Sequence, residues 1–416
     1  MWIDCLKALY LSLVILRFIN NQTGRDKPMM VEKAVLAEAT KQEEKEKIEK
    51  GLEGVVALES KISSIIGSVL TYRGISIDEL AEKATYEEVV HLLWFGKLPN
   101  RQELKQLNDD LAANAVLPQP VVDLIKSFPP NTIPMDGLRT AVSYLALFDP
   151  DVRDNSEAAN LRKAVRLTAQ LPVIVTAIQR VLQGNEPITP RRDLSVAANF
   201  LYTLDGSEPD PIAVRVIDIA LVLHADHELN ASTFSARETV STLSDMYSGV
   251  VSAIGTLKGP LHGGANEAVM RMLLQVGEVS KAEDWIKNAL ANKHKVMGFG
   301  HRVYKNGDPR AKHLKRMSEE LGKLKGDTRW YEISTVIDDV VVREKGLLPN
   351  VDFYSASVYY ILGIPIELFT PVFATSRISG WIAHILEQLN DNRLIRPRAE
   401  YTGPVDQHYI PIEERI

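Results

Sequence analysis

The chain has 416 residues, 45% of them hydrophobic and 25% charged, which is enough apolar material for a core and more than one domain's length. Its net charge of −6 argues against general affinity for nucleic acid or an anionic membrane, though not against a small basic pocket. Cys5 is the only cysteine, so neither an intrachain disulfide nor a cysteine-based zinc site can form.

The first 50 residues read as an N-terminal extension. Residues 8–16 are strongly apolar, but span about half the length a membrane helix needs. No basic segment precedes them and no A-x-A-like cleavage site follows, so a secretory signal is disfavoured. Met29 and Met30 then open a polar, helix-prone stretch with a charge run over 41–47. We read residues 1–28 as an over-extended reading frame, with translation starting at Met29 or Met30. A membrane-associated form anchored by residues 6–19 is the competing expectation.

Two short strand signals follow, Val55 to Leu58 and Ser68 to Tyr72, as a small hairpin or sheet. Thr85 with Glu88 forms a capping box ahead of Val89, Val90, Leu92, Leu93 and Trp94, and Gly96 and Pro99 end that helix. Helical patterns continue at 101–114, 119–127, 136–148, 157–182, 193–202, 210–227 and 233–255. Further ones fit 265–275, 281–293, 308–322, 328–345, 353–362 and 371–389. Strand and helix do not alternate, which excludes a parallel-sheet enzyme, and no fixed 20–50 residue period suggests a solenoid. The tail from Arg393 to Ile416 reads as an irregular arm crossing a surface.

Four clusters could carry chemistry. In His224-Ala225-Asp226-His227-Glu228, a helix would put both histidines on one face. The run matches neither zinc helix motif, so a buried helix end and a substrate-binding histidine are the leading readings, with a metal ligand the least favoured. In Gly259-Pro260-Leu261-His262-Gly263-Gly264, three glycines crowd one histidine just before a helix start, which suits either a tight turn or an anion at free N–H groups. The run Met297-Gly298-Phe299-Gly300-His301-Arg302 continues to Lys305 and Arg310. It lacks the third glycine and the preceding strand of a dinucleotide fingerprint. It reads as a solvated basic turn or as a loop for a phosphate or carboxylate. Asp352 precedes an apolar helix, as an N-cap or as a general base. Arg377 sits among Phe373, Ile378 and Trp381 and needs a partner there, for which a bound carboxylate would serve. Arg396 and Arg398 flank Pro397 in the tail.

Together, in order and spacing, these clusters resemble the citrate synthase family over about 51–416, most of all its Gram-positive-like bacterial branch. The resemblance implies an all-α fold, with a large domain at 51–265 plus 372–416 and a small domain at 266–371. It implies condensation of acetyl-CoA with oxaloacetate, with no metal and no resident cofactor, in a cytoplasmic homodimer or assembly of dimers. It assigns Asp352 as the base, His262 to the enolate oxygen and His301 to the ketone oxygen. His227, Arg310 and Arg377 would hold the oxaloacetate carboxylates, with Arg396 contributed across the dimer. Met297, Gly298, Phe299 and Gly300 resemble the CoA adenine loop, and Arg302 and Lys305 are candidates for its phosphates. The nearest rival is a 2-methylcitrate synthase using propionyl-CoA, since one methylene discriminates by only about 1–3 kcal/mol. A non-catalytic helical scaffold is the remote alternative.

Overall fold

The computed structural model describes residues 49–301, 303–304, 306–405 and 407–415. The expectations for residues 1–48, and for Arg302 and Lys305, lie outside the described residues. The chain divides into two units, Met1–Glu59 and Ser60–Ile416. In the first, the described residues hold one 3-10 turn, Lys50–Leu52, and mostly exposed chain. The strand expected at 55–58 does not form; Val55 and Val56 are exposed there, with no ladder to bury them.

The second unit opens with an antiparallel sheet, β1 Ser63–Ile66, β2 Val69–Tyr72 and β3 Ile75–Ser76, in that order. Ser63 stands opposite Tyr72, and Tyr72 opposite Ile75. The helices α1 Ile77–Lys83, α2 Tyr86–Phe95, α3 Arg101–Asn114, α4 Gln119–Lys126 and α5 Pro134–Leu145 follow. Next come α6 Glu157–Leu182, α7 Val196–Asp205, α8 Pro211–His224, α9 Ala231–Ser241 and α10 Met246–Leu257. The last six are α11 Ala265–Val276, α12 Val279–Ala291, α13 Ala311–Lys325, α14 Arg329–Lys345, α15 Val351–Ile361 and α16 Phe369–Asn390. The fold of the described residues is therefore all-α apart from the small sheet.

Local chemistry explains the boundaries. Thr85 and Glu88 form the expected reciprocal cap of α2, and Asn100 with Glu103 repeats it on α3. Helix α6 is long and apolar enough to cross a bilayer by length and composition, but it is largely buried inside the protein and packs against α16, α7, α3 and α5. Helix α16 runs through the core against α2, α6, α8, α9 and α10. Helices α11 to α15 pack mainly on one another.

Three sequence expectations are corrected. The helix expected at 210–227 stops at His224, so His227 lies in a turn and not one face along from His224. The helix expected at 233–255 is two helices; Leu243, at φ +67°, breaks the chain, and Asp245 caps α10 by accepting from the Ser248 amide at 2.9 Å. Asn350, not Asp352, caps α15, accepting from the Asp352 amide at 3.0 Å and leaving the Asp352 carboxylate free of that duty.

Candidate active site

The turn after α8 forms the first wall. The Tyr72 hydroxyl donates to the carbonyls of Val222 and Asp226, at 3.1 and 3.0 Å, which ties the helix end to β2. His224 is fully buried; its Nδ1–H donates to the Ala220 carbonyl at 2.8 Å, and its Nε2 has no partner among the described residues. Burial, helped by the charge of Arg310, pushes its pKa down to about 3, so it is neutral. Arg377 of α16 is 1% exposed, and its Nε donates to the His224 carbonyl at 2.7 Å. Its Nη1 and Nη2 have no hydrogen-bond partner among the described residues. Burial lowers its pKa only to about 10, with Asp226 the largest opposing charge, so the guanidinium stays cationic.

The glycine loop 258–264 joins α10 to α11 and presents His262. Lys258 anchors its start by pairing with both carboxylate oxygens of Asp136, at 2.6 and 2.7 Å. The Ser232 amide, in the first turn of α9, donates to His262 Nε2 at 3.3 Å. A backbone N–H can only donate, so Nε2 is the acceptor and the imidazole proton sits on Nδ1. The Ser232 hydroxyl lies 2.8 Å from the same nitrogen and accepts from the Trp381 indole at 3.0 Å. Burial first, then Arg377, holds the His262 pKa down at about 4.

The third wall is the loop 297–310, which is laced to the chain ahead of α15. Phe299 bridges to Pro349, the Gly300 amide donates to the Leu348 carbonyl at 2.9 Å, and the Asn350 amide donates to the Gly298 carbonyl at 2.9 Å. Gly298 has φ +84°, and a Cβ there would stand 2.8 Å from Val269 and 2.9 Å from Phe353, so only glycine fits. The amides of Val303 and Tyr304 both donate to His301 Nδ1, at 3.0 and 3.2 Å, which puts its proton on Nε2. Burial and then Arg310 bring its pKa to about 4. His227 Nε2 lies 3.1 Å from the Tyr304 hydroxyl, with its ring 5.1 Å from that of His301. Burial, Arg310 and His301 keep His227 neutral.

Arg310 is 2% exposed and forms a two-bond fork with Asp308, Nε to Oδ1 at 2.9 Å and Nη2 to Oδ2 at 2.8 Å. Burial would lower its pKa, but Asp308 outweighs that and raises it. The same Asp308 carboxylate accepts from the Val351 amide at 3.1 Å, so one residue fixes both Arg310 and the start of α15. Asp352 sits in that first turn, with its Oδ1 buried and without a partner among the described residues. Burial pushes its pKa up to about 7, against the pull of Arg310.

The charges of Arg310 and Arg377 both reach Asp352, His227 and His224, while Arg377 reaches His262 and Arg310 reaches His301, so the expected site residues share the field of one arginine pair. Met297, Gly298, Phe299 and Gly300 line the loop beside it. Arg396 does not join them; it is exposed in the arm that follows α16. Among the described residues no three His, Cys, Asp or Glu side chains gather as metal ligands. Sequence reasoning gave no role to Ser232, Tyr304 or Asp308. Asp308 was legible, as a carboxylate two residues from a buried arginine; the other two depend on tertiary contacts. Chemically, the arrangement offers a desolvated carboxylate, two neutral imidazole donors with fixed protons, and two buried guanidinium groups, a set suited to proton transfer beside an anion.

Comparison with known proteins agrees. Residues 51–398 match the family model for the citrate synthase C-terminal domain. The chain is 58% identical to citrate synthase 2 of Bacillus subtilis over 367 residues, 88% of this chain and 99% of that protein. It is 41% identical to 2-methylcitrate synthase 1 of Corynebacterium glutamicum over 377 residues, 88% of this chain and 98% of that one. The solved ternary complex of Thermoplasma acidophilum citrate synthase with carboxymethyl coenzyme A and oxaloacetate superposes with a TM-score of 0.84 at 35% identity, covering 89% of this chain and all of that one. A family match over most of the chain, on the all-α fold, together with a neutral-histidine and carboxylate site, identifies the chain as a member of the citrate synthase family of acyltransferases.

Proposed function

We propose that the chain condenses acetyl-CoA with oxaloacetate and water to give citrate and free CoA, with Asp352, His262 and His301 as its catalytic residues. The observation that carries this reading is an unpartnered, desolvated carboxylate oxygen grouped with two neutral histidines whose protons are fixed by backbone amides. Asp352 takes a proton from the methyl carbon of acetyl-CoA, and its raised pKa makes it a stronger base than a solvated aspartate. The electron pair moves onto the thioester oxygen, which accepts from His262 Nδ1–H. The enolate carbon then attacks the ketone carbon of oxaloacetate. His301 Nε2–H hydrogen-bonds to that carbonyl and stabilises its oxygen as it gains charge, and the proton that Asp352 took from carbon balances the new hydroxyl. Water cleaves the citryl-CoA thioester, and CoA leaves as the thiol.

His227, Arg310 and Arg377 hold the oxaloacetate carboxylates, Arg377 through its open Nη1 and Nη2 and Arg310 through Nη1, the nitrogen that Asp308 leaves unbonded. Arg396 reaches the site from a second copy of the chain, in a homodimer or assembly of dimers. Its exposure on the arm is compatible with that role. Residues 297–300 take the CoA adenine, with Arg302 and Lys305 on its phosphates. The mutual packing of α11 to α15 supports a small domain at 266–371 and a large one from the rest of 51–416. A cytoplasmic enzyme with no resident cofactor goes with this reading, on the family resemblance.

The greater likeness to the Bacillus citrate synthase supports acetyl-CoA over propionyl-CoA as substrate. The test is thiol release from each thioester, with and without oxaloacetate. Oxaloacetate-dependent release favouring acetyl-CoA is expected. Preference for propionyl-CoA would move the activity to 2-methylcitrate synthesis, and no release from either would refute the reading.

A further inference from the structure

Along α16, Arg377, Gly380, Trp381, His384 and Gln388 recur at spacings of three and four, so they form one stripe. That stripe lies on the turn 224–227. Arg377 Nε donates to the His224 carbonyl, the Gly380 amide donates to the Ala225 carbonyl at 3.1 Å, and His384 Nε2 meets Asp226 Oδ2 at 3.3 Å. A Cβ at position 380 would stand 2.3 Å from the Ala225 carbonyl and 2.5 Å from Asp226 Oδ1, so the turn rests directly on the helix backbone.

From the other side, Arg237 of α9 donates to His384 Nδ1 at 3.1 Å, to Glu387 Oε2 at 2.6 Å and to Gln388 Oε1 at 3.1 Å. A guanidinium only donates, so His384 Nδ1 accepts and its Nε2–H points at Asp226. The Ser63 hydroxyl of β1 donates to the same Asp226 oxygen and accepts from the Glu228 amide at 2.9 Å. Asp226 is wholly buried. Burial alone would raise its pKa, but His384, Arg377 and Ser63 hold it below the usual carboxylate range. Asp226, His384, Arg237 and Ser63 take no part in the chemistry above.

The arrangement answers a difficulty at Arg377. A buried guanidinium needs a counter-charge, yet a carboxylate on its fork would compete with substrate. Asp226 provides the largest favourable charge from a distance, its Oδ2 held by Ser63 and His384. Among the described residues its Oδ1 is bonded to no side chain, and Nη1 and Nη2 of Arg377 stay free. We infer that Asp226, held by His384, Arg237 and Ser63, is a positioning residue for oxaloacetate: it locks the turn 224–227 onto α16, so that the His224 carbonyl aims Arg377 and His227 is set beside it. The inference rests on the oxaloacetate-binding role proposed for Arg377 and His227.

The test measures the oxaloacetate dissociation constant of the full-length protein by calorimetry, and both KM values by thiol release. The variants are His384→Leu, His384→Gln, Ser63→Ala and Arg377→Leu. His384→Leu should weaken oxaloacetate binding about tenfold or more, as lost supporting hydrogen bonds do elsewhere, with the acetyl-CoA KM at saturating oxaloacetate changing less than about threefold. His384→Gln can accept from Arg237 through its amide oxygen and donate to Asp226 through its amide nitrogen, so it should restore most of the affinity. Should His384→Leu not fold, Ser63→Ala removes one bond to Asp226 and should raise the oxaloacetate constant about threefold, with the same selectivity. Unchanged oxaloacetate affinity in folded His384→Leu or Ser63→Ala, equal loss of both substrates, or a glutamine variant no better than leucine would overturn the inference. If Arg377→Leu itself binds oxaloacetate normally, the role of Arg377 falls and takes the inference with it. If Arg377→Leu binds weakly while the His384 and Ser63 variants bind normally, only the inference falls.

Discussion

The most discriminating perturbation of the proposed mechanism is pH. Asp352 must be ionised to act as a base, and its pKa in the empty site is about 7. About one-tenth of it is therefore ionised at pH 6 and about nine-tenths at pH 8. Activity should rise with pH across that window, by nearly tenfold if nothing else titrates. The two catalytic histidines do not interfere, because both have pKa values near 4 and are neutral throughout. Bound oxaloacetate adds negative charge beside Asp352, so it can move the limb upward but not down. The assay is kcat/KM for acetyl-CoA at saturating oxaloacetate, from pH 5 to 9, by thiol release. Glu87 also has a pKa raised to about 7 by burial, but it caps the Val196 amide away from the catalytic set, and Glu87→Gln should leave the limb in place. A limb near pH 4, a flat profile between 5 and 8, or a limb that disappears in Glu87→Gln would refute the assignment of Asp352 as a desolvated base.

Three further outcomes follow from the same geometry. A carboxylate whose pKa is raised on folding binds more protons in the native state, so its cost grows as pH rises from 3.8 toward 7; Asp352→Asn should abolish turnover yet raise the melting temperature at pH 8, with up to about 4 kcal/mol relieved. Asp308→Asn unpairs a buried arginine and weakens the hold on the Val351 amide; it should destabilise the protein by about 3–5 kcal/mol in denaturant unfolding and raise the oxaloacetate KM. Gly298→Ala meets both a positive φ and two contacts under 3 Å; it should cost about 1–3 kcal/mol and raise the acetyl-CoA KM more than the oxaloacetate KM, measured by thermal unfolding and thiol release.

Much of the fold was legible because local chemistry agreed with the final packing. The box of Thr85 and Glu88 and the 26-residue run of α6 are set by capping and periodicity, and both stand where the pattern placed them. The misreadings fall where distant contacts decide. His227 leaves the helix because Tyr72, some 150 residues earlier, and α16, some 150 residues later, hold the turn. The break between α9 and α10 carries no glycine or proline, since Leu243 itself takes the left-handed conformation. The residue types of the site were legible, but not its proton positions. Those follow from where the amides of Ser232, Val303 and Tyr304 point, which no spacing rule encodes.

The two buried arginines show how such a site can be both stable and receptive. Arg310 is already paired on its Nε and Nη2 with Asp308, and it spends that pairing on architecture, since the same carboxylate also ties down α15. Among the described residues Arg377 has no carboxylate on its fork, only a carbonyl at Nε and the face of Phe373 at 4.8 Å. If both arginines were paired like Arg310, the cleft would be electrostatically complete and would have little to gain from a dianion. If both were left like Arg377, the cost of two unpaired buried cations would fall on a fold whose whole stability is on the order of 10 kcal/mol. Division of labour resolves this. One cation is neutralised in place and fixes geometry, while the other is compensated at a distance and keeps its fork open for the substrate role proposed for it. In the proposed mechanism the same logic covers the base: Asp352 Oδ1, without a partner among the described residues, gives up stability for basicity, since a donor there would lower the pKa on which proton abstraction depends.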